Sequence, residues 1–324
     1  MSITSVNLFI FFSLYVLIFY GNAHSESFDE FKKSILKEGI DFGVSKNILE
    51  ENIGALSNVN KKVLRLYNNQ PEFKITLSKY QKRNITTKRI EKGKKLQIKH
   101  NKILTQIKSK YNIPPEIIVS IWALESNYGH YTGTFNIIDS LATLAYKSKR
   151  KKFFKKELFN ALKILEYKHI DSDSLKGSWA GAMGQSQFMP SSYLSYAVDF
   201  NNDKKIDIWN THSDVFASIA NYLKVHGWKK NKPWSFELKK INNTEIDLKK
   251  NYSYKELKSK VVFLNQSEIN ISDETNTQVK SITNETFVEN YLIFKNFFVL
   301  KKYNNSDFYA LTVGKLANKI KLEK

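Results

Sequence analysis

Glu125 is an acid placed where an apolar residue would be expected. Ile118, Ile121, Trp122 and Glu125 follow one another at i, i+3, i+4 and i+7, the spacing that lines side chains along one face of an α-helix. The carboxylate therefore continues an apolar stripe. Burial there disfavours the charged form and raises the pKa, which is what a general acid needs to keep its proton near neutral pH. The competing reading is a Glu in a last helical turn that reaches water, or bonds a nearby hydroxyl such as Ser126 or Tyr128.

A second constellation is the run GSWAGAMGQSQFMP from Gly177 to Pro190. Its glycines let backbone and a flat ligand approach closely, and Ser178, Gln185 and Gln187 offer neutral hydrogen bonds of the kind that hold sugars. A tight structural turn would use the same composition. The third is DFNNDKKIDIWN from Asp199, which sets Asp199, Asn201, Asp203, the Lys205 carbonyl and Asp207 at positions one, three, five, seven and nine of an EF-hand loop. Such oxygen donors suit Ca²⁺, with Asp207 acting through water. Lys204 replaces the usual Gly at position six and Asn210 replaces the bidentate Glu at position twelve, so weak binding is expected. The alternative is a polar turn held by side-chain to backbone bonds.

These residues need elements to position them. Pro114 and Pro115 suit the first turn of a helix and Gly129 its end, so a helix of about three turns should carry Glu125. Asp139 reads as the cap of a following helix, and Asp214 as the N-cap of another over Val215 to His226, closed by Gly227. Residues 24–110 read as a lysine-rich helical region with apolar residues such as Leu64, Tyr67 and Ile98 at helical spacing, broken at Pro71 and Gly93. Residues 111–234 hold four of the five prolines and all three constellations. Residues 235–307 are polar, with β-rich runs at Lys260 to Leu264 and Phe287 to Phe298, and read as a small β-rich domain. Phe308 to Ile320 reads as an amphipathic helix, so that 308–324 packs back on the helical region.

The chain has 324 residues, no cysteine, and 51 Lys plus Arg against 31 Asp plus Glu, for a net charge of +20. The missing cysteine excludes disulfides, thiolate metal sites, cysteine nucleophiles and a lipidated cysteine anchor. Val6 to Tyr20 is almost wholly apolar and is followed by the small residues Gly21 and Ala23, so residues 1–23 read as a signal peptide cleaved after Ala23. The run is shorter than a usual membrane span. Strong positive charge favours polyanions: nucleic acid, an anionic membrane or the carboxylate-bearing peptides of peptidoglycan. Export disfavours nucleic acid.

The segments IPPEIIVSIWALESNYG, GSWAGAMGQSQFMPSSYLSYAVDFNNDKKIDIW and FFVLKKYNNSDFYALTVGKLA resemble, in that order, the membrane-bound lytic murein transglycosylase B family, over roughly Lys79 to Ala317. The resemblance implies an α+β, mainly α fold: a goose-lysozyme-like catalytic core, a flanking helical domain and a small β-rich domain. It implies cleavage of the bond between N-acetylmuramic acid and N-acetylglucosamine in peptidoglycan glycan strands, in the periplasm of a Gram-negative bacterium, by a protein expected to be a monomer. No cofactor is required for that chemistry, and Ca²⁺ enters only as a structural ion. The family's catalytic Glu falls on Glu125, its sugar-contacting pair on Ser178 and Gln187, its Tyr-Asn pair on Tyr303 and Asn304, and a cleft tyrosine on Tyr80. A calcium site would be closed by Asp214. Where family members often carry paired arginines that meet the substrate's peptide, this chain has Lys149 and Arg150, so a point charge replaces one guanidinium fork.

Ordinary glycosidases flank the bond with two carboxylates. Asp139, Asp171 and Asp173 do not read as a partner for Glu125. The resemblance implies the other route, in which Glu125 protonates the leaving oxygen and then takes the proton of the muramic acid's own 6-hydroxyl, giving a 1,6-anhydro end. A hydrolytic muramidase and a non-catalytic peptidoglycan-binding protein are the alternatives.

Overall fold

The computed structural model describes residues 26–69, 75–242, 246–264 and 271–322; the expected signal segment and Pro71 lie outside the described residues. The N-terminal region forms α1 (Phe28–Asp41), α2 (Lys46–Leu49) running into a π-helical turn (Glu50–Gly54), α3 (Lys61–Asn68), α4 (Leu77–Asn84), α5 (Thr87–Lys99) and α6 (Asn101–Tyr111). Side-chain caps set where these lysine-rich segments begin. Ser27, Asn60, Thr76 and Thr86 each accept a backbone N–H of the first turn they precede, satisfying donors that the helix cannot pair itself. Ile98, expected on an apolar face, is 62% exposed; α5 buries Gly93 and Gln97 instead, because its inner face must admit other helices closely.

The central part comprises α7 (Pro115–Ser126), a two-stranded antiparallel ribbon of β1 (Phe135–Asn136) and β2 (Lys176–Gly177), and helices α8 (Ile137–Lys147), α9 (Lys151–Glu166), α10 (Pro190–Tyr196) and α11 (His212–Val225). Packed by α5, α6, α11 and α14, α7 buries every residue from Ile117 to Ala123. The single apolar stripe read from spacing thus understates its burial. Two expected caps lie elsewhere. Asn136 caps α8 through the Asp139 N–H, while the Asp139 carboxylate accepts from Asn60 at 2.6 Å. Thr211 stands at the N-cap of α11, which starts three residues earlier than expected and leaves Asp214 inside the first turn.

Strands β3 (Ser235–Ile241), β4 (Tyr252–Ser253), β5 (Val261–Phe263), β6 (Asn276–Thr283) and β7 (Val288–Ile293), with the short helix α12 (Tyr254–Lys258), make an antiparallel sheet in the order β4-β6-β7-β3-β5. The sheet has its own small core of Leu238, Leu257, Val261, Ile271, Val279, Leu292 and Phe294. The run Phe287 to Phe298, expected as strand throughout, divides: it is strand to Ile293, and then enters α13 (Lys295–Tyr303). Phe297, Val299 and Leu300 of α13 join the main helical core, so that tertiary packing, not β propensity, decides the state of this segment. The last helix, α14 (Asp307–Ile320), lies on α7, α5 and α4, with Gly314 giving the Trp234 ring room against it. The architecture is α+β and mainly α, one helical core carrying a small sheet.

Candidate active site

Glu125 sits in the last turn of α7, partly buried. The helix ends just past it, through a run of left-handed residues, Asn127 (φ 50°), Tyr128 (φ 62°) and Gly129 (φ 78°). Two of the three are not glycine, an uncommon and costly backbone. Ser126 holds the turn by donating to the Trp122 carbonyl and accepting the Gly129 N–H. The register of α7 is fixed by Trp122, whose ring is enclosed edge-on by His100, Tyr128, His212 and Phe216. Its indole N–H donates to Gln185 Oε1 at 2.8 Å, and Gln185 Nε2 donates to the Trp209 carbonyl at 2.7 Å. Gln185, read as a possible sugar donor, is thus buried and spent on tying the glycine loop to α7. A side chain at Gly129 would collide with that amide.

The Glu125 carboxylate accepts one hydrogen bond, from the Tyr309 hydroxyl to Oε1 at 2.6 Å. Burial raises its pKa and the tyrosine lowers it; burial prevails, and the group is pushed up to about 7. Tyr303 stacks on Tyr309 with ring centroids 6.4 Å apart and 13° between planes. The Glu125 charge acts on the hydroxyls of Tyr80, Tyr303 and Tyr309, all raised first by burial. Among the described residues no acidic side chain bonds Glu125 or shifts its titration. The arrangement is one carboxyl of raised pKa set among phenols, with no second carboxylate bonded to it among the described residues.

The glycine loop is a compact turn in which Met183 pairs with both Gly177 and Phe188. Ser178 Oγ accepts the Ala182 N–H at 3.0 Å, and its own proton has no acceptor among the described residues. Gln187, at φ 50°, gives both Nε2 protons away, to the Thr132 and Gly184 carbonyls, which leaves Oε1 free to accept. The Tyr303 hydroxyl donates to the Ser186 carbonyl at 2.7 Å, joining this loop to the phenol cluster. Gly133 lets the backbone before β1 lie directly on Gly177 and Ser178. Asn304 is exposed just past α13. Lys149 and Arg150 stand exposed in the α8–α9 turn, the Lys149 N–H on the Tyr67 hydroxyl and the Arg150 guanidinium 4.1 Å from the Phe153 ring centre; no described contact links them to Glu125.

In the acidic loop, Asp199 accepts the N–H groups of Asp203 and Lys204, Asp203 accepts that of Lys205, and Asp207 those of Trp209 and Asn210. Asn201 donates to Asp203 at 2.9 Å. Lys204 has φ 70°, the strained conformation its position demands. Asp214 is fully buried and accepts the Phe200 and Asp207 N–H groups at 3.0 Å each. Burial raises its pKa, those bonds oppose the rise, and the Asp199 charge adds to it. The oxygen donors are of the kind a hard cation takes, yet among the described residues no three His, Cys, Asp or Glu side chains are grouped as a metal site.

Sequence reading missed Tyr309 as a partner of Glu125 and gave no role to Arg89. Arg89 Nη1 donates to the backbone carbonyl and side chain of Asn84, and Nη2 reaches Asn127 at 3.5 Å. An aromatic on the buried face of a terminal helix carries no mark of which acid it will meet.

The transglycosylase SLT domain model matches residues 26–318. The chain belongs to that family. It is 32% identical over 246 residues to the membrane-bound lytic murein transglycosylase B of Escherichia coli (strain K12), covering 75% of this chain and 67% of the relative. It resembles the solved structure of SltB3 from Pseudomonas aeruginosa in complex with NAG-NAM-pentapeptide, at a TM-score of 0.85 and 32% identity over 91% of this chain and 80% of that one. It also resembles the Escherichia coli lytic transglycosylase Slt35 in complex with calcium, at a TM-score of 0.77 and 29% identity over 90% and 92% of the two chains. Among the described residues no helix is long and apolar enough to cross a membrane.

Proposed function

We propose that this protein is a periplasmic lytic transglycosylase that cuts the MurNAc–GlcNAc β-1,4 bond of peptidoglycan and leaves 1,6-anhydro-MurNAc ends. The observation that carries this reading is Glu125 itself, whose pKa burial pushes up to about 7, with no acidic side chain bonded to it among the described residues. Glu125 gives its proton to the glycosidic oxygen as the bond to the anomeric carbon breaks. The carboxylate so formed, steadied by the Tyr309 hydroxyl, takes the proton of the muramic acid 6-hydroxyl, whose oxygen closes on the anomeric carbon. The proton count returns to its start and no water is consumed. A nucleophile already attached to the substrate has a high effective concentration, so the missing second carboxylate is no handicap. Ser178 as donor and Gln187 Oε1 as acceptor would hold sugar hydroxyl and acetamido groups, with Tyr80, Tyr303 and Tyr309 as the aromatic wall beside them; the unpaired hydrogen-bonding atoms of Ser178 and Gln187 support this role.

No cofactor takes part. The loop 199–214 would hold Ca²⁺ weakly, through Asp199, Asn201, Asp203, the Lys205 carbonyl and Asp214, as a structural ion that takes no part in the proton transfers. Calorimetric titration with millimolar Ca²⁺ that gives neither heat nor a thermal shift would remove that ion. For the reaction itself, purified sacculi are digested with wild type and Glu125→Gln and the muropeptides weighed. Anhydro products from wild type alone are expected. Products heavier by one water would make the enzyme a hydrolytic muramidase, and an inert wild type would make it a binding protein.

A further inference from the structure

A pocket of about 390 Å³ opens beside the C-terminal end of α7, lined by Arg83, Lys88, Arg89, Lys92, Asn127 and His130. Four of these side chains carry permanent positive charge, and among the described residues none of those lining the pocket is acidic. None of the four cations forms an ion pair among the described residues, so the pocket lining carries four positive charges with no counter-charge of its own. Cations gathered without counter-charges repel one another, and a site that keeps them so favours an anion.

The pocket is built and not merely a lysine-rich surface. Arg89 is half-buried, its guanidinium fixed by Asn84 on one side and aimed at Asn127 on the other. Asn127 is two residues past Glu125 and held in a left-handed conformation. The Lys92 ammonium lies 5.2 Å from the Tyr128 ring centre, and Tyr128 in turn donates to the Arg89 carbonyl. Asn127 lines the pocket, so the basic pocket lies within two residues of Glu125 at the end of α7. A planar fork held this way suits a carboxylate.

We infer that this pocket binds the free carboxylates of the peptide stem borne by a sugar in the cleft, a subsite separate from Lys149 and Arg150. The inference rests on the proposed peptidoglycan substrate. Its test compares initial rates on two forms of glycan strand, one with intact acidic stems and one stripped of peptides by an amidase, for wild type and for Arg83→Ala/Lys88→Ala/Lys92→Ala. All three substitutions are at exposed positions. The ratio of the rate on stem-bearing strands to that on stripped strands should fall about fivefold to tenfold in the variant, the sum expected of three exposed charge contacts. It should fall similarly in wild type when ionic strength rises from about 0.05 to 0.3 M, because such contacts are screened. A second arm uses stems whose carboxylates are amidated: wild type should then lose its preference, and a preference kept there would assign the pocket to something other than carboxylates. A variant ratio equal to that of wild type overturns the subsite even though cleavage persists. Failure of wild type to cleave either strand overturns the substrate assignment instead.

Discussion

Glu125→Gln tests the environment of the carboxyl without any substrate. Glutamine keeps the size of the side chain and an oxygen for the Tyr309 hydroxyl, so the variant differs from wild type chiefly in being unable to ionise. In wild type the carboxyl pKa rises from 4.5 unfolded to about 7 folded. Between those values the folded state binds more protons than the unfolded one, so stability falls as pH rises. The contribution of this group is fully kept below about pH 4.5 and fully spent above about pH 7. At 1.36 kcal/mol per unit, the loss across the window is about 3 kcal/mol. Urea melts of both proteins at pH 5 and pH 8 should therefore show the stability of Glu125→Gln relative to wild type growing by roughly 2–3 kcal/mol, since part of the loss is already incurred at pH 5. Comparing the two proteins cancels every other titrating group. A difference that stays flat with pH would mean that Glu125 titrates as an ordinary exposed acid, and the general-acid argument would fall with it.

Tyr309→Phe removes the one hydrogen bond that favours the charged carboxylate. The basic limb of the pH–rate profile should move upward from about pH 7, while the rate of cleavage drops about tenfold or more because the carboxylate is less steadied in its second step; an unmoved limb would remove the tyrosine from the proton account. Gln185→Ala leaves the Trp122 indole N–H and the Trp209 carbonyl without their partner, and should cost about 2–3 kcal/mol in urea unfolding, with a loss under 1 kcal/mol counting against the tie between loop and helix. Gly129→Ala combines a left-handed backbone with a collision at Gln185, so a destabilisation above about 1 kcal/mol is expected from thermal melts. Gln187→Ala should raise KM more than it lowers kcat on peptide-free glycan, as loss of a binding contact does.

The parts of the site legible in the sequence are those made of local pattern. Glu125 stood out because an acid interrupted an apolar period, and the proline start and glycine end of α7 bracketed it. The glycine loop is legible as a loop, but which of its polar side chains keep a free hydrogen-bonding atom is not: Ser178 and Gln187 do, whereas Gln185 is consumed by Trp122. That distinction depends on an indole 63 residues away in sequence. Asp214 shows the same limit. At the start of a helix it reads as a cap, yet its carboxylate turns back to hold the 199–207 loop. The strand expected through Phe298 became helix because α13 meets the main core, a contact no local propensity encodes.

The bond from Tyr309 to Glu125 joins positions 184 residues apart. Helix α14 supplies that tyrosine while lying against α7, α5 and α4, so its docking completes the site. During synthesis the acid, the glycine loop and the acidic loop all leave the ribosome before the residue that steadies the carboxylate. A fragment that ends between Asn304 and Ser306 keeps Glu125, Ser178, Gln187 and Tyr303 and lacks the hydroxyl that steadies the carboxylate.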